Sequence, residues 1–176
     1  MSSSFYLTIV ILCTFVAAVI IGRSTRGHSS NRHQKYLKKA EAIYRDFQRP
    51  GYNDAQKLSF LRKINPYVFE ELILIAFHHK GIEIKRNQRY SGDGGIDGRL
   101  VIEGKDYYIQ CKRYRSHIHL DDVMAFARLC DRKRVGGYFV HTGRTGQAVW
   151  KIAEEFENIK IISGGKLIRL LSEKND

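Results

Sequence analysis

The chain has 176 residues, enough for one ordinary domain of about 100 to 150 residues and an appendage. Thirty Lys and Arg residues against 18 Asp and Glu residues give a formal net charge of +12, which favours polyanions or an anionic membrane surface as partners. Cys13, Cys111 and Cys130 are far apart, which excludes a disulfide framework and a C-x-x-C zinc site and fits a reducing compartment.

Residues 5–22 are uncharged and mostly apolar, and Arg23 is the first charged side chain of the chain. As a helix this stretch would be about 27 Å long, close to the thickness of the hydrocarbon core of a bilayer. A cleaved signal peptide is the alternative, but it has a basic n-region and a shorter apolar core. We therefore expect a single transmembrane helix, and the basic residues after it place the rest of the chain on the cytoplasmic side.

Residues 23–50 predict a basic linker and then an amphipathic helix, whose apolar residues recur from Tyr36 to Phe47 and which Pro50 ends. Packing of this helix on the following domain is favoured over a membrane-surface or DNA-binding arm, because only one stripe is apolar. The predicted organisation is a transmembrane anchor at 1–22, the basic linker and amphipathic helix at 23–50, and the main domain at 51–176.

The main domain begins with helical patterns and continues with strands. A short helix follows the cap signal Asn53-Asp54, and Asn65-Pro66 opens a longer helix that Gly81 stops. Further strand patterns lie at 82–85, 96–102, 107–114, 138–141 and 159–162, and further helical patterns at 123–130 and 148–156. The turn at 103–106 predicts a hairpin, and the whole order predicts an α/β domain with a mixed sheet flanked by helices.

The third strand carries two polar residues where a central strand would be apolar. A period of two places Tyr108, Gln110 and Lys112 on one face, and Tyr107, Ile109 and Cys111 on the other as core. Burying an amide and an ammonium group is costly unless they are paired or perform chemistry. Asp97 follows the glycine-rich turn at 91–95 and supplies a carboxylate near the same end of the sheet.

This group of residues suits the hydrolysis of phosphodiesters. A carboxylate and an amide oxygen can hold Mg²⁺, a hard ion that prefers oxygen ligands and keeps several waters. The ion offsets phosphate charge and makes a bound water more acidic. Lys112 could orient or help deprotonate that water and stabilise developing charge, and Glu70 could hold an outer-sphere water or a second ion. A structural ion pair with a capping amide is the alternative for Asp97, Gln110 and Lys112.

Several ordered blocks between about Asn65 and Leu171 resemble one known family. They are Phe69-Glu70 at the start of the long helix, the glycine-rich block at 91–98, the strand block at 108–114, and the strand and turn at 139–143 followed by Ala148. In this order they resemble the Mrr-like branch of the PD-(D/E)xK nucleases, to which type IV restriction endonucleases belong. The resemblance implies a PD-(D/E)xK nuclease-like fold for 51–176 and a Mg²⁺-dependent (or Mn²⁺-dependent) endodeoxyribonuclease.

The resemblance also implies roles for individual residues. Asp97 matches the metal-binding aspartate, and Lys112 matches the catalytic lysine. Gln110 stands where the general pattern has glutamate, and Glu70 matches the acidic residue of the first helix. Glutamine removes one negative charge from the metal site, and the resemblance implies that this is usual in the Mrr-like branch.

Basic residues near the site could track a DNA backbone, a contact that fixes position without reading sequence. Four of them are candidates for DNA contact: Arg89, Arg113, Arg115 and Arg144. The first hypothesis is a membrane-anchored restriction or defence endonuclease. The others are a repair or recombination nuclease for branched DNA and a DNA-binding module with little turnover. DNA, the membrane through residues 5–22 and a second copy of the chain are the expected partners.

Overall fold

The computed structural model describes residues 31–87 and 95–172 of the chain. The chain divides into two compact units, residues 1–38 and residues 39–176. Of the first unit only 31–38 are described, and they are helical. Among the described residues, the second unit contains all the strands, the remaining helices and the predicted catalytic and metal-binding residues.

The described chain begins with three helices. Helix α1 covers residues 31–47, α2 covers Asp54–Leu61 and α3 covers Pro66–His79. Asn53 starts α2 with a capping box, in which its side chain and that of Gln56 each accept a backbone N–H of the other residue. The Asn65 side chain accepts the N–H of Tyr67, with Pro66 in the first turn of α3. The two predicted helix starts are therefore confirmed.

Five strands form one mixed sheet in the order β1-β2-β3-β4-β5. The strands are β1 (Glu83–Arg86), β2 (Gly98–Ile102), β3 (Lys105–Lys112), β4 (Gly136–His141) and β5 (Ile159–Ile162). The pairs β1–β2 and β2–β3 are antiparallel, whereas the pairs β3–β4 and β4–β5 are parallel. Glu103 and Gly104 both have positive φ in the turn between β2 and β3, as expected in a tight hairpin whose turn matches the twist of its strands.

Helices cover both faces of β3. Helix α3 packs on one face, where Gly98 lets Leu74 approach so closely that a Cβ at this position would lie 2.8 Å from it. Helices α4 (Leu120–Lys133) and α5 (Gln147–Glu155) cover the other face, and Phe126 packs there against Phe139.

Both faces of β3 are buried. The predicted core face of Ile109 and Cys111 is buried, and so are Tyr108 and Gln110 on the opposite face. A helix on each side of the sheet explains why both faces of this strand are buried.

The amphipathic helix α1 uses its apolar stripe to cover the domain, as predicted. Its buried residues are Ala40, Ile43, Tyr44 and Phe47. The sequence patterns did not predict helix α6 (Gly164–Ser172), which buries four apolar residues: Leu167, Ile168, Leu170 and Leu171. Gln48 donates to the carbonyl of Leu171 at 2.6 Å, and the Lys57 ammonium donates to Phe47 O and Ser172 Oγ. These bonds join α1, α2 and the end of α6.

The predicted fold class included an N-terminal transmembrane helix, and this part of it is corrected. Within residues 31–87 and 95–172, no helix is both long enough and apolar enough to cross a bilayer. The longest, α1, exposes polar side chains along one side and has only one buried stripe. The predicted span, residues 5–22, lies outside the described residues, so the cytoplasmic placement and the 1–22, 23–50 and 51–176 boundaries stay predictions from the sequence.

Candidate active site

The predicted site residues come from three elements that meet at one end of the sheet. Asp97 directly precedes β2, Gln110 and Lys112 lie at the end of β3, and Glu70 lies in the second turn of α3. Lys112 is paired in register with His141, the last residue of β4. The carboxyl ends of the parallel strands β3 and β4 therefore border the site.

Asp97 is fixed by both its backbone and its side chain. Its N–H donates to Ile109 O at 2.8 Å, and its Oδ2 accepts the N–H of Cys111 at 2.6 Å. The two contacts are to the residues on either side of Gln110, so Asp97 and Gln110 are held next to each other. The Cys111 bond uses Oδ2 and orients the carboxylate, so that Oδ1 can accept a ligand.

Gln110 is only 9% exposed. Its amide nitrogen lies beside Gly95, where a Cβ would be 2.4 Å from Nε2, and Gly95 has a φ of 87°. Its Oε1 is buried without a hydrogen-bond partner among the described residues. A buried carbonyl oxygen without a partner is costly, so this atom marks a place where a ligand would restore a lost interaction.

Burial disfavours the charged forms of both acidic residues of the site. Burial raises the pKa of Glu70 to about 8, and the charges of Asp97 and Glu71 contribute to this rise, while Arg113 and Lys112 oppose it. Burial also raises the pKa of Asp97 to about 6, against the Cys111 N–H and the Lys112 charge, which lower it. Bringing a cation between these carboxylates would lower both pKa values.

Lys112 faces carboxylates on two sides. Its charge acts on Asp97 and Glu70, and its ammonium lies 3.7 Å from Oδ1 of Asp122 in the first turn of α4. Oδ2 of the same aspartate accepts a hydrogen bond from the Tyr114 hydroxyl. The Lys112 side chain is 40% exposed, so the ammonium remains open to a ligand from solvent.

The candidate DNA-contacting arginines differ in their surroundings. Arg113 is half-buried, donates to Arg62 O at 3.4 Å and acts electrostatically on Glu70. Arg115 and Arg144 are exposed on two adjoining loops, which are joined by the bond from Arg144 N–H to Ser116 O. Arg89 lies outside the described residues. The structure thus places three of the four arginines on the side of the site where β3 and β4 end.

Sequence reasoning missed several residues around the site. Asp122 gave only the signal of an acidic residue in the first turn of a helix, and Arg62, which donates to Thr142 O at 3.0 Å, gave none. The sequence pattern places His141 in a strand and predicts nothing more of it, but it is fully buried, and burial lowers its pKa to about 4. Its Nε2 lies 3.2 Å from the Thr145 hydroxyl.

The donor set fits a divalent cation that prefers oxygen. In the part of the chain that the structure describes, no three His, Cys, Asp or Glu side chains come together as a metal-binding group. The oxygen ligands that the predicted site offers are two carboxylates, Asp97 and Glu70, and the unpartnered Oε1 of Gln110. Mg²⁺ needs few protein ligands because it keeps several of its waters, so this small set of oxygens suits it better than zinc.

Comparison with known proteins matches this region to restriction enzymes. The family model Mrr_cat, described as restriction endonuclease, matches residues 61–171. The type IV methyl-directed restriction enzyme EcoKMrr of Escherichia coli strain K12 is 31% identical over 125 residues, which are 66% of this chain and 41% of that enzyme. The chain thus spans less than half the length of that relative.

Two solved restriction endonucleases are also similar to the chain. MspJI, solved in complex with a 27-mer oligonucleotide, has 23% identity and a TM-score of 0.47, with coverage of 70% of this chain and 32% of that one. The DNA modification-dependent enzyme AspBHI has 20% identity and a TM-score of 0.42, with coverage of 70% and 36%.

Proposed function

The chain belongs to the Mrr_cat family of restriction endonucleases, and we propose that it hydrolyses DNA phosphodiesters with Mg²⁺ at the site of Asp97, Gln110, Lys112 and Glu70. One observation supports this most strongly. Within the described chain, the half-buried carboxylate of Asp97 is bonded to the residues on either side of Gln110, whose Oε1 is buried without a partner, and its charge helps raise the pKa of the half-buried Glu70. As a purely structural arrangement this would be costly, whereas a bound cation would compensate all three groups.

Asp97 and Gln110 would hold the ion, with Glu70 contributing directly or through a water. When bound, Mg²⁺ supplies positive charge that offsets the phosphate and makes nearby water more acidic. Mn²⁺ has similar ligand preferences and is expected to replace it. The glutamine contributes an oxygen without a charge, so two carboxylates instead of three balance the cation.

Lys112 would stabilise the charge that develops on the phosphate oxygens. Its ammonium is exposed enough to reach a bound phosphate, and it interacts electrostatically with Asp97 and Glu70. A fixed positive charge placed where negative charge develops is worth more in a partly dehydrated site than in water. Lys112 can also orient the attacking water by donating a hydrogen bond to it.

Arg113, Arg115 and Arg144 would bind the DNA backbone beside the site, and Arg89 is a further candidate from the sequence. Backbone contacts of this kind set position and affinity without reading sequence. The name of EcoKMrr describes a methyl-directed enzyme. We therefore propose a restriction or defence role, in which methylated DNA is the preferred substrate and two copies of the chain act together to cut both strands.

The test is a cleavage assay with the full-length chain on supercoiled plasmid, with and without base methylation. Wild type is expected to nick or linearise plasmid in Mg²⁺ or Mn²⁺, to lose this activity in EDTA, and to prefer methylated DNA. Lys112→Ala should bind DNA but not cut it, and Lys105→Ala, at the far end of β3, serves as the matched control with full activity. Binding of DNA by wild type without any metal-dependent cleavage would replace the nuclease with a DNA-binding module.

A branched DNA substrate belongs in the same experiment. Cleavage of four-way junctions at a far higher rate than methylated plasmid would place the chain among repair or recombination nucleases instead. Sedimentation of the protein with and without DNA would show whether two copies assemble.

A further inference from the structure

The ammonium of Lys112 is held by a second group of residues outside the metal-binding set. It lies 3.7 Å from Oδ1 of Asp122, and Oδ2 of Asp122 accepts the hydroxyl hydrogen bond of Tyr114. Tyr114 and Asp122 contact one another, and Asp122 contacts the side chain that the proposed chemistry requires.

The fold brings Asp122 to Lys112 from a different element, helix α4. Lys112 and Phe139 point to the same face of the sheet, because parallel neighbours in register share their orientation. Helix α4 covers this face, with Val123 and Phe126 buried beside Phe139. Asp122 directly precedes Val123, so the core packing of α4 fixes the position of its backbone.

Tyr114 is held as firmly as Asp122. Its backbone N–H donates to the Thr142 hydroxyl at 3.0 Å, and the same hydroxyl donates to the Tyr114 carbonyl at 2.9 Å. Its ring makes edge contacts with His119 and His141. A phenol fixed in this way has one place for its hydroxyl group, and the bond to Asp122 selects one orientation of that carboxylate.

Lys112 needs such a restraint because it also faces the metal-binding carboxylates. Its charge lowers the pKa of both Asp97 and Glu70. A lysine side chain has four rotatable bonds and little intrinsic preference for one position. With no opposing carboxylate, the ammonium would be drawn onto the Asp97 carboxylate, where it would compete with a cation.

We propose that Asp122 and Tyr114 are positioning residues that hold the Lys112 ammonium at the edge of the site, ready to meet a phosphate oxygen. This role rests on the proposed nuclease function. The partial exposure of both partners, 40% for Lys112 and 34% for Asp122, means that their ion pair contributes little to stability. The geometry is thus better explained by placement of the lysine than by stabilisation of the fold.

A simpler explanation is that Asp122 only interacts with the N-terminal end of the α4 dipole. Acidic residues are favoured in the first turn of a helix for that reason. Asp121 lies in the same turn, is exposed, and provides the matched control. Asp121→Asn removes the same charge from the same helix end, whereas only Asp122→Asn removes the contact with Lys112.

The experiment measures steady-state cleavage of a DNA substrate by the full-length chain, together with DNA affinity in EDTA. Asp122→Asn is expected to lower kcat by ~10- to 100-fold with KM and DNA affinity within about twofold of wild type, as for groups that orient a catalytic side chain. Asp122→Glu keeps the charge and should restore most of the rate. Tyr114→Phe should give a smaller loss, because it frees the carboxylate without removing it.

Three results would overturn the positioning role while wild type still cleaves DNA. They are an Asp122→Asn rate equal to or above that of wild type, an equal loss in Asp121→Asn, and a loss that appears only in KM or DNA affinity. Circular dichroism of each variant identifies any loss that comes from unfolding, and Asp122→Glu then decides the question. If wild type itself does not cleave DNA in Mg²⁺ or Mn²⁺, the proposed function fails, and the positioning role fails with it.

Discussion

Replacing Glu70 with glutamine should stabilise the metal-free protein while removing its nuclease activity. The folded protein holds a proton on Glu70 up to a pKa of about 8, whereas the unfolded chain releases it near the ordinary value of 4.5. Between these two values the folded state binds more protons than the unfolded state, so stability falls as pH rises. Glutamine does not titrate, and it resembles the protonated acid in shape and in hydrogen bonding.

The size of this effect follows from the shift. A change of 3.5 pKa units at about 1.36 kcal/mol each sets a ceiling of about 5 kcal/mol. Glu70 is only half-buried, and water screens its charge, so we expect about 1 to 2 kcal/mol at pH 8.5. At pH 4.5 the difference between Glu70→Gln and wild type should be close to zero, because both folded proteins then carry a neutral group.

The assay is urea unfolding followed by far-UV circular dichroism, in EDTA, at pH 4.5 and pH 8.5. Glu71→Gln is the matched control, since Glu71 is buried and forms an ion pair with Arg86 at 2.9 Å. That substitution leaves Arg86 without this ion pair and should destabilise the protein by about 1 to 3 kcal/mol at pH 8.5. A Glu70→Gln protein that is less stable than wild type at pH 8.5, or that gains equally at both pH values, would refute a raised Glu70 pKa.

Three further predictions concern other parts of the site. Burial lowers the pKa of His141 from 6.5 to about 4, so the unfolded chain binds more protons between these values and stability falls as pH falls. In urea unfolding, the stability lost between pH 7 and pH 4.5 should be about 1 to 3 kcal/mol smaller for His141→Gln than for wild type. An equal loss in both proteins would contradict the lowered pKa. Gly95→Ala should reduce cleavage by ~10-fold or more, because its Cβ would meet Gln110 at 2.4 Å and displace that ligand. Gly104→Ala, at a positive φ in open space, is the control and should leave cleavage unchanged. Equal effects of the two substitutions would exclude a role for the close approach of Gly95 to Gln110. Arg115→Ala should weaken DNA binding and reduce the slope of log affinity against log salt by about 1 without changing stability. Fluorescence anisotropy at several salt concentrations measures this slope, and an unchanged slope would remove this exposed arginine from the DNA interface.

The sequence was sufficient for the parts of the fold that local rules determine. The cap residues Asn53 and Asn65 marked helix starts, because their side chains bond to N–H groups only a few residues away. Strand period placed Gln110 and Lys112 on one face, and the register of β3 with β4 agrees. The position of Glu70 came from family resemblance, since its distance from Asp97 along the chain carries no local signal.

Other features depend on how distant elements pack, and sequence patterns could not predict them. Asp122 meets Lys112 only because α4 docks on the face of the sheet to which Lys112 points. Helix α6 begins at Gly164-Gly165, residues that disfavour helices, and its apolar stripe becomes informative only against α2 and α3. The burial of both faces of β3 likewise required knowledge of the helices on each side.

The nuclease proposal depends most on a divalent ion that Asp97 and Gln110 hold and that DNA cleavage requires. Its most direct test is the single-turnover cleavage rate of wild type and Asp97→Asn as Mg²⁺ concentration is varied. The site predicts a rate that rises with Mg²⁺ and saturates for wild type, and no cleavage by Asp97→Asn at any concentration although it still folds and binds DNA. Cleavage by Asp97→Asn at the wild-type rate, or wild-type cleavage that persists in EDTA, would contradict it.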